Sequence, residues 1–135
     1  MARWWGEPEP NFPLQDDPET VRWTIEIDDT VAGMVQYSEE TEPRYRHATI
    51  DIFVDPAWHN QGLGTEAVRR ALQHLVTSRG HHRVTIDPAV MNAAAIRAYE
   101  KAGFRRVGVM RAYERDAAGD AWHDGLLMEF VVSPD

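Results

Sequence analysis

The sequence predicts an α/β fold, a single-domain mixed β-sheet flanked by helices with elements in the order βββαβαββ. Two observations predict it. Six short segments read as strands, rich in β-branched and aromatic residues or alternating apolar with polar positions. Two longer segments place apolar residues at helical spacing and end on glycine, and they fall between the later strands.

Residues 1–20 read as an irregular N-terminal segment, because GEPEPNFPLQDDPET (6–20) holds four prolines among many acids. The domain is expected over 21–135. Its first strand is RWTIEIDD, with Trp23, Ile25 and Ile27 on one face and Arg22, Thr24 and Glu26 on the other. Asp28-Asp29 suits a tight turn, and VAGMVQY (31–37) returns as a second strand, weakened by Gly33. HATIDIFVDP (47–56) is the third and stops at Asp55-Pro56, because proline cannot continue a central ladder. Ile50, Ile52 and Val54 share one face of it; Thr49, Asp51 and Phe53 share the other, which puts a carboxylate mid-strand among apolar neighbours.

The surest helix is TEAVRRALQHLVTSRG (65–80), with Ala67, Val68, Ala71, Leu72, Leu75 and Val76 in register and Gly80 placed to terminate it. A strand in HRVTIDP (82–88) follows. NAAAIRAYEKAGF (92–104) is a second helix, capped by Asn92, favoured by its alanines and ended by Gly103. RVGVMRAY (106–113) and LLMEFVV (126–132) close the chain as two strands joined by a polar loop at 114–125.

Composition bounds the chemistry. A chain of 135 residues, 43% hydrophobic and 27% charged, fits one soluble globular domain. The excess of 22 acidic over 14 basic residues, a formal charge of −8, argues against nucleic acid or an anionic membrane as the main partner. It serves solubility and would attract a cationic substrate. Without cysteine there is no disulfide, thiolate nucleophile or Cys-ligated metal. His81 and His82 are adjacent, so they cannot face one ion from a strand, and no other spacing suits a metal; none is predicted. No segment has the apolar core of a signal peptide or the ~20 apolar residues of a membrane span, so a cytoplasmic location is expected.

The chemistry concentrates where a strand ending near Val54 meets the loop HNQGLGT and a helix. Glycines at such a turn let backbone approach a ligand closely, and the unpaired N–H groups of the first helical turn attract a pyrophosphate. Alone, Gly-x-Gly before a helix is more often only a turn. The sequence fits neither a nucleotide P-loop nor a complete Gly-x-Gly-x-x-Gly.

HNQGLGTEAV, followed by Asn92, Ala95, Ile96, Tyr99, Glu100, Lys101, Gly103 and Phe104 at their spacing, resembles the acetyl-coenzyme A signature of the GCN5-related N-acetyltransferase (GNAT) superfamily, and the likeness covers most of residues 21–132. His59 departs from the Arg or Gln often found three residues before the first motif glycine. SEETEPRYRHATID and IDPAVMNAAAIRAYEKAGF are similar to bacterial aminoglycoside 6′-N-acetyltransferases. The resemblance implies acetyl-CoA contacts at Phe53, Val54, Gln61, Gly62, Leu63, Gly64, Thr65 and Asn92. It implies Asp51 as general base and Tyr99 as the acid for the departing thiolate. It also implies acceptor contacts from Glu39, Glu40, Asp51, Asp87 and Asp124 to a cationic small-molecule amine.

The physical logic stands beside the resemblance. An amine attacks a thioester only when unprotonated, so the site needs a base, oriented N–H groups for the oxyanion and a proton donor for sulfur. Asp51, beside Phe53, would have its pKa raised by desolvation; its plainer reading is a solvated residue or a partner of Arg46. Tyr99 reads equally as a core aromatic, Asn92 as a simple N-cap, and Glu39, Glu40 and Glu42 as a solvated loop. Arg69, Arg70, Arg97 and Lys101 read as solvated helix faces, among which a phosphate contact is expected. Superfamily members usually carry a strand and helix before the equivalent of RWWGEP, which here directly follows Met1-Ala2. The expectation is either more chain upstream or a missing edge element, with a homodimer partner covering the first strand and Trp4-Trp5.

Overall fold

The computed structural model describes residues 2–3 (as backbone), 20–59, 62–116 and 118–132. The strands are β1 (Ala2–Arg3), β2 (Thr20–Ile27), β3 (Thr30–Glu40), β4 (His47–Val54), β5 (Arg83–Ile86), β6 (Arg105–Arg115) and β7 (Trp122–Val131). The helices are α1 (Leu63–Gln73), prolonged by a π turn at His74–Ser78, and α2 (Ala93–Ala102). The described strands form one sheet in the order β1-β2-β3-β4-β5-β7-β6. Every neighbouring pair is antiparallel except β4 and β5, whose connection passes through α1. Among the described residues no helix is long and apolar enough to cross a membrane.

The period-two face expected of the first strand is the core face: Trp23, Ile25 and Ile27 are buried, with Val35 and Tyr37 of β3 and Ala48 and Ile50 of β4 beside them. α1 lays Leu63, Ala67, Val68, Ala71 and Leu72 into the core, and Leu75 follows from the π turn. α2 adds Ile96 and Tyr99, and β5 and β7 add Val84, Ile86, Leu126 and Met128. A fully buried side chain of this size contributes about 1.5–3 kcal/mol, so these faces hold the layers together. Gly33 does not interrupt β3. A Cβ there would stand 2.1 Å from the Phe53 carbonyl oxygen, so glycine is what lets β3 pack against the end of β4.

Two boundaries differ from the sequence reading. Ala2–Arg3 pairs antiparallel with Glu26 and Ile27, a strand too short for any periodicity to reveal. Residues 4–19, which include Trp4, Trp5 and most of the expected irregular segment, lie outside the described residues. The joint between β6 and β7 is shorter than the expected loop at 114–125, since β6 reaches Arg115 and β7 starts at Trp122. β6 is the last strand of the sheet and nearly all of it is exposed. A strand with no face in the core can be polar, so polarity there did not mean loop.

The feature that positions the site is a split in the sheet. Pairing between β4 and β5 is confined to Ala48 with Val84 and Thr49 with Thr85, where the two threonine hydroxyls meet at 2.8 Å. β4 then runs on to Val54 paired only with β3, and β5 runs on paired with β7. Alternate backbone groups on the open side of β4 therefore face a gap.

Candidate active site

One wall of the gap is built by the segment that follows β4. Asp55 caps the short turn Pro56–Trp58 by accepting from the Ala57 N–H at 2.9 Å, and the His59 Nε2–H donates to the Val54 carbonyl at 2.8 Å. Gly62 then takes a left-handed conformation, φ 75°, as the N-cap of α1, without a capping side chain. A left-handed residue at this junction favours glycine, and a Cβ built on Gly62 or Gly64 meets nothing within 4 Å. The first intrahelical bond joins Glu66 N–H to Gly62 carbonyl at 3.1 Å. The N–H groups of Leu63, Gly64 and Thr65 precede it, at the positive end of the helix dipole. Gln61 lies outside the described residues.

The opposite wall is α2. Asn92 accepts from the Ala95 N–H at 3.1 Å, the capping geometry its sequence position implies. Together these elements enclose an open cleft of about 560 Å³ lined by Ile52, Phe53, Val54, Gly62, Leu63, Gly64, Thr65, Asn92, Ala94, Ala95, Ala98, Tyr99 and neighbours. The alanine run that favours helix has a second effect: Ala94, Ala95 and Ala98 present only methyl groups to the cleft. Arg97 and Lys101 also line the cleft, which separates them from Arg69, bound to the Lys101 carbonyl at 2.9 Å, and Arg70, bound to Glu66.

At the inner end the acidic residues gather. Tyr99 is 8% exposed, and its phenol is pushed far above the usual tyrosine value by burial first and then by the charges of Asp51 and Asp87. Asp51 lies opposite Gln36 of β3, whose Nε2 donates to Asp51 Oδ2 at 3.5 Å while its Oε1 accepts from Arg22 at 3.0 Å. Water reaches the Asp51 carboxyl, yet protein crowds it closely; desolvation raises it above the ordinary aspartate value, and the nearby Asp87 and Glu114 charges raise it further. Arg46, the partner weighed for Asp51, is instead bound to the carbonyls of Arg79 and Gly80.

Asp87 follows β5 directly, and the Tyr113 hydroxyl donates to its Oδ2 at 2.5 Å. Asp124 is turned to the backbone, its Oδ1 accepting from the Ala112 N–H at 2.8 Å. Asp51, Asp87 and Tyr99 are thus brought together. Glu39 and Glu40 are not: they sit three and four residues along β3 from Gln36, roughly 10 Å or more at strand spacing. Glu39 is held by Arg79 at 2.9 and 3.1 Å and by His81 at 2.6 Å, and Glu40 accepts from the Thr41 N–H. Sequence reasoning missed Gln36, Tyr113 and Glu114. No spacing connects residues of β3 and β6, far apart along the chain, to the site, so no linear signal could have found them. Among the described residues no cluster of three metal-ligating side chains occurs.

This arrangement has known counterparts. Residues 2–104 match the acetyltransferase (GNAT) family. A probable N-acetyltransferase, YjcK, of Bacillus subtilis is 28% identical over 108 residues, 80% of this chain and 58% of that protein. The type 1 aminoglycoside N(6′)-acetyltransferase of Klebsiella pneumoniae is 35% identical over 74 residues, 55% of this chain and 36% of that protein. The chain therefore spans between a third and three fifths of these relatives. A solved chimera of Vibrio cholerae spermidine N-acetyltransferase SpeG and hSSAT superposes with a TM-score of 0.74 at 23% identity, covering 87% of this chain and 69% of that one, a likeness of fold.

Proposed function

The chain belongs to the acetyltransferase (GNAT) family, and on that premise we propose that it transfers an acetyl group from acetyl-CoA to a primary amine of a cationic small molecule in the cytoplasm. The observation that carries the reading is one cleft with bare helix N–H groups at its outer end and Tyr99, under the charge of Asp51 and Asp87, at its inner end.

The residues fit acetyl-CoA on structural grounds. No side chain at Gly62 or Gly64 blocks access to the amides of Leu63, Gly64 and Thr65, which would hold the pyrophosphate, with Arg97 and Lys101 close to the same cleft. Ile52, Val54, Ala95 and Ala98 form an apolar wall for the pantetheine arm. When bound, acetyl-CoA supplies an acetyl group activated as a thioester. The chain has no cysteine to carry that group, and the proposal is direct transfer in a ternary complex.

Asp51 and Asp87 attract the protonated amine; Asp51, its carboxyl raised, takes the first of the two protons nitrogen must lose, which frees the lone pair to attack, and the second, lost as the N–C bond forms, replaces the one Tyr99 gives up. Tyr99 keeps its Oη proton at neutral pH and delivers it to the departing sulfur. Two of the three causes that hold the Tyr99 proton back are the charges of Asp51 and Asp87. Protonating Asp51 removes one of those charges, so acceptor deprotonation makes Tyr99 a readier donor.

An aminoglycoside 6′-amine is the proposed acceptor. Its support is the 35% identity to an aminoglycoside enzyme together with the acids around Tyr99. Antibiotic resistance would be the consequence. Mixing the protein and acetyl-CoA with kanamycin, spermidine or lysine and following free thiol tests it. Release fastest with kanamycin supports the proposal; release confined to another amine moves the substrate class. Coenzyme A binding with no release from any amine would identify a non-catalytic binding module.

A further inference from the structure

We propose that Tyr113 is a positioning residue that aims Asp87 at the acceptor, and that the Asp124-Gly125 pair of β7 is what turns Tyr113 toward Asp87. The proposal rests on the reading of Asp87 as an acceptor contact.

β6 would not by itself direct Tyr113 at Asp87. Its register against β7 breaks between Met110 and Glu114, where Met110 pairs with Gly125 and Glu114 pairs with His123. Three residues of β6 therefore stand against one of β7, a bulge that rotates the strand locally and re-aims its side chains. At the centre of the bulge Ala112 has φ 48°, a left-handed conformation that a residue with a Cβ keeps only under restraint. The restraint is visible: Asp124 Oδ1 accepts the Ala112 N–H at 2.8 Å.

Gly125 supplies the space. A Cβ on it would lie 2.8 Å from Tyr113 Cδ2 and 3.3 Å from Cγ, so the ring lies directly over the Gly125 backbone and any side chain there must push it away. From that seat the Tyr113 hydroxyl reaches Asp87 Oδ2 at 2.5 Å.

The backbone around Asp87 is anchored by the same stretch of β7. The Leu126 N–H donates to the Pro88 carbonyl at 2.8 Å and the Val90 N–H to the Asp124 carbonyl at 3.0 Å. Residues 124–126 thus hold both the main chain beside Asp87 and, through Tyr113, its carboxylate. One bond on Oδ2 leaves Oδ1 for a substrate ammonium. A carboxylate already fixed loses less rotamer freedom on binding.

The test uses the whole chain with Tyr113→Phe, Gly125→Ala and Asp87→Asn, and two readouts. In ¹³C-tyrosine NMR the Tyr113 phenol, identified by its loss in Tyr113→Phe, is expected to titrate well above an ordinary tyrosine, at about 12, because it donates to Asp87. In Asp87→Asn and Gly125→Ala it is expected to fall by a unit or more toward the ordinary 10.0. Calorimetry with kanamycin and spermidine is expected to show five- to tenfold weaker binding of at least one amine to Tyr113→Phe and Gly125→Ala, with coenzyme A affinity unchanged. A Tyr113 titration that ignores Gly125→Ala overturns the proposal. So do equal amine affinities in wild type and Tyr113→Phe, whether or not thiol is released. Weakened amine binding in a protein that releases no thiol upholds this inference and removes the catalytic reading.

Discussion

The His81 Nε2–H donates to Glu39 Oε2 across 2.6 Å, in a pair whose side chains are 1% and 12% exposed, while Arg79 grips both Glu39 oxygens from outside. This contact ties the end of the α1 extension to β3, remote from the cleft. Burial alone would raise the Glu39 carboxyl, but the bonds from Arg79 and His81 outweigh it and hold it below the ordinary value. A depressed carboxyl stabilises the fold above its unfolded pKa and loses that contribution as pH falls through the folded one. Glu39→Gln should cost about 1–3 kcal/mol at pH 7, with the gap to wild type closing in acid below the ordinary glutamate pKa. Urea unfolding at neutral and acid pH measures it; an equal gap at both would show that charge plays no part.

Asp51→Asn should lower turnover roughly 10²–10⁴-fold and remove the acid limb of the pH–rate profile. In wild type that limb should lie above the usual aspartate range, because burial and then Asp87 raise the carboxyl. Stopped-flow thiol release across pH separates this from a simple loss of binding. An unchanged limb in the variant means another group is the base.

For Tyr99→Phe the expectation is a fall in turnover of about 10²-fold or more with nearly unchanged coenzyme A affinity. Stability should hold within about 1 kcal/mol, since phenylalanine keeps the buried ring in place. Calorimetric coenzyme A titration alongside turnover decides it; parallel losses in both would make Tyr99 a cofactor contact only.

Gly62→Val places a β-branched residue at φ 75°, where L-residues are strained by about 1–2 kcal/mol, and sets a side chain before the open amides of α1. Coenzyme A binding should weaken tenfold or more while thermal stability drops by a few degrees. Retained affinity in a folded variant would mean that the helix N-terminus does not hold the pyrophosphate.

The legible parts of this protein are those written in neighbouring residues. Trp23, Ile25 and Ile27 alternate within one strand, Ala67 to Leu75 repeat within one helix, and Gly62 and Gly103 mark helix ends, so element order could be read along the chain. The same holds for the outer end of the cleft, where Gly62 to Thr65 open α1 and Asn92 opens α2. Edges were misread where burial gives no pattern: β6 is exposed, so its polar residues 114 and 115 resembled a loop.

By itself, then, the sequence determined the βββαβαββ order that follows the short Ala2–Arg3 strand, the core faces and a helix start suited to an anion, because each depends on local periodicity and backbone conformation. The tertiary structure alone decided that Glu39 is held by a half-exposed Arg79 and a buried His81 at the far end of β3. It alone decided that Asp51, Asp87, Tyr99 and Tyr113 meet. Those four come from β4, the residues after β5, α2 and β6, and they converge because β4 and β5 part after Thr49 and β7 is inserted between β5 and β6. Such contacts follow from sheet order and strand register, which no single stretch of the chain encodes.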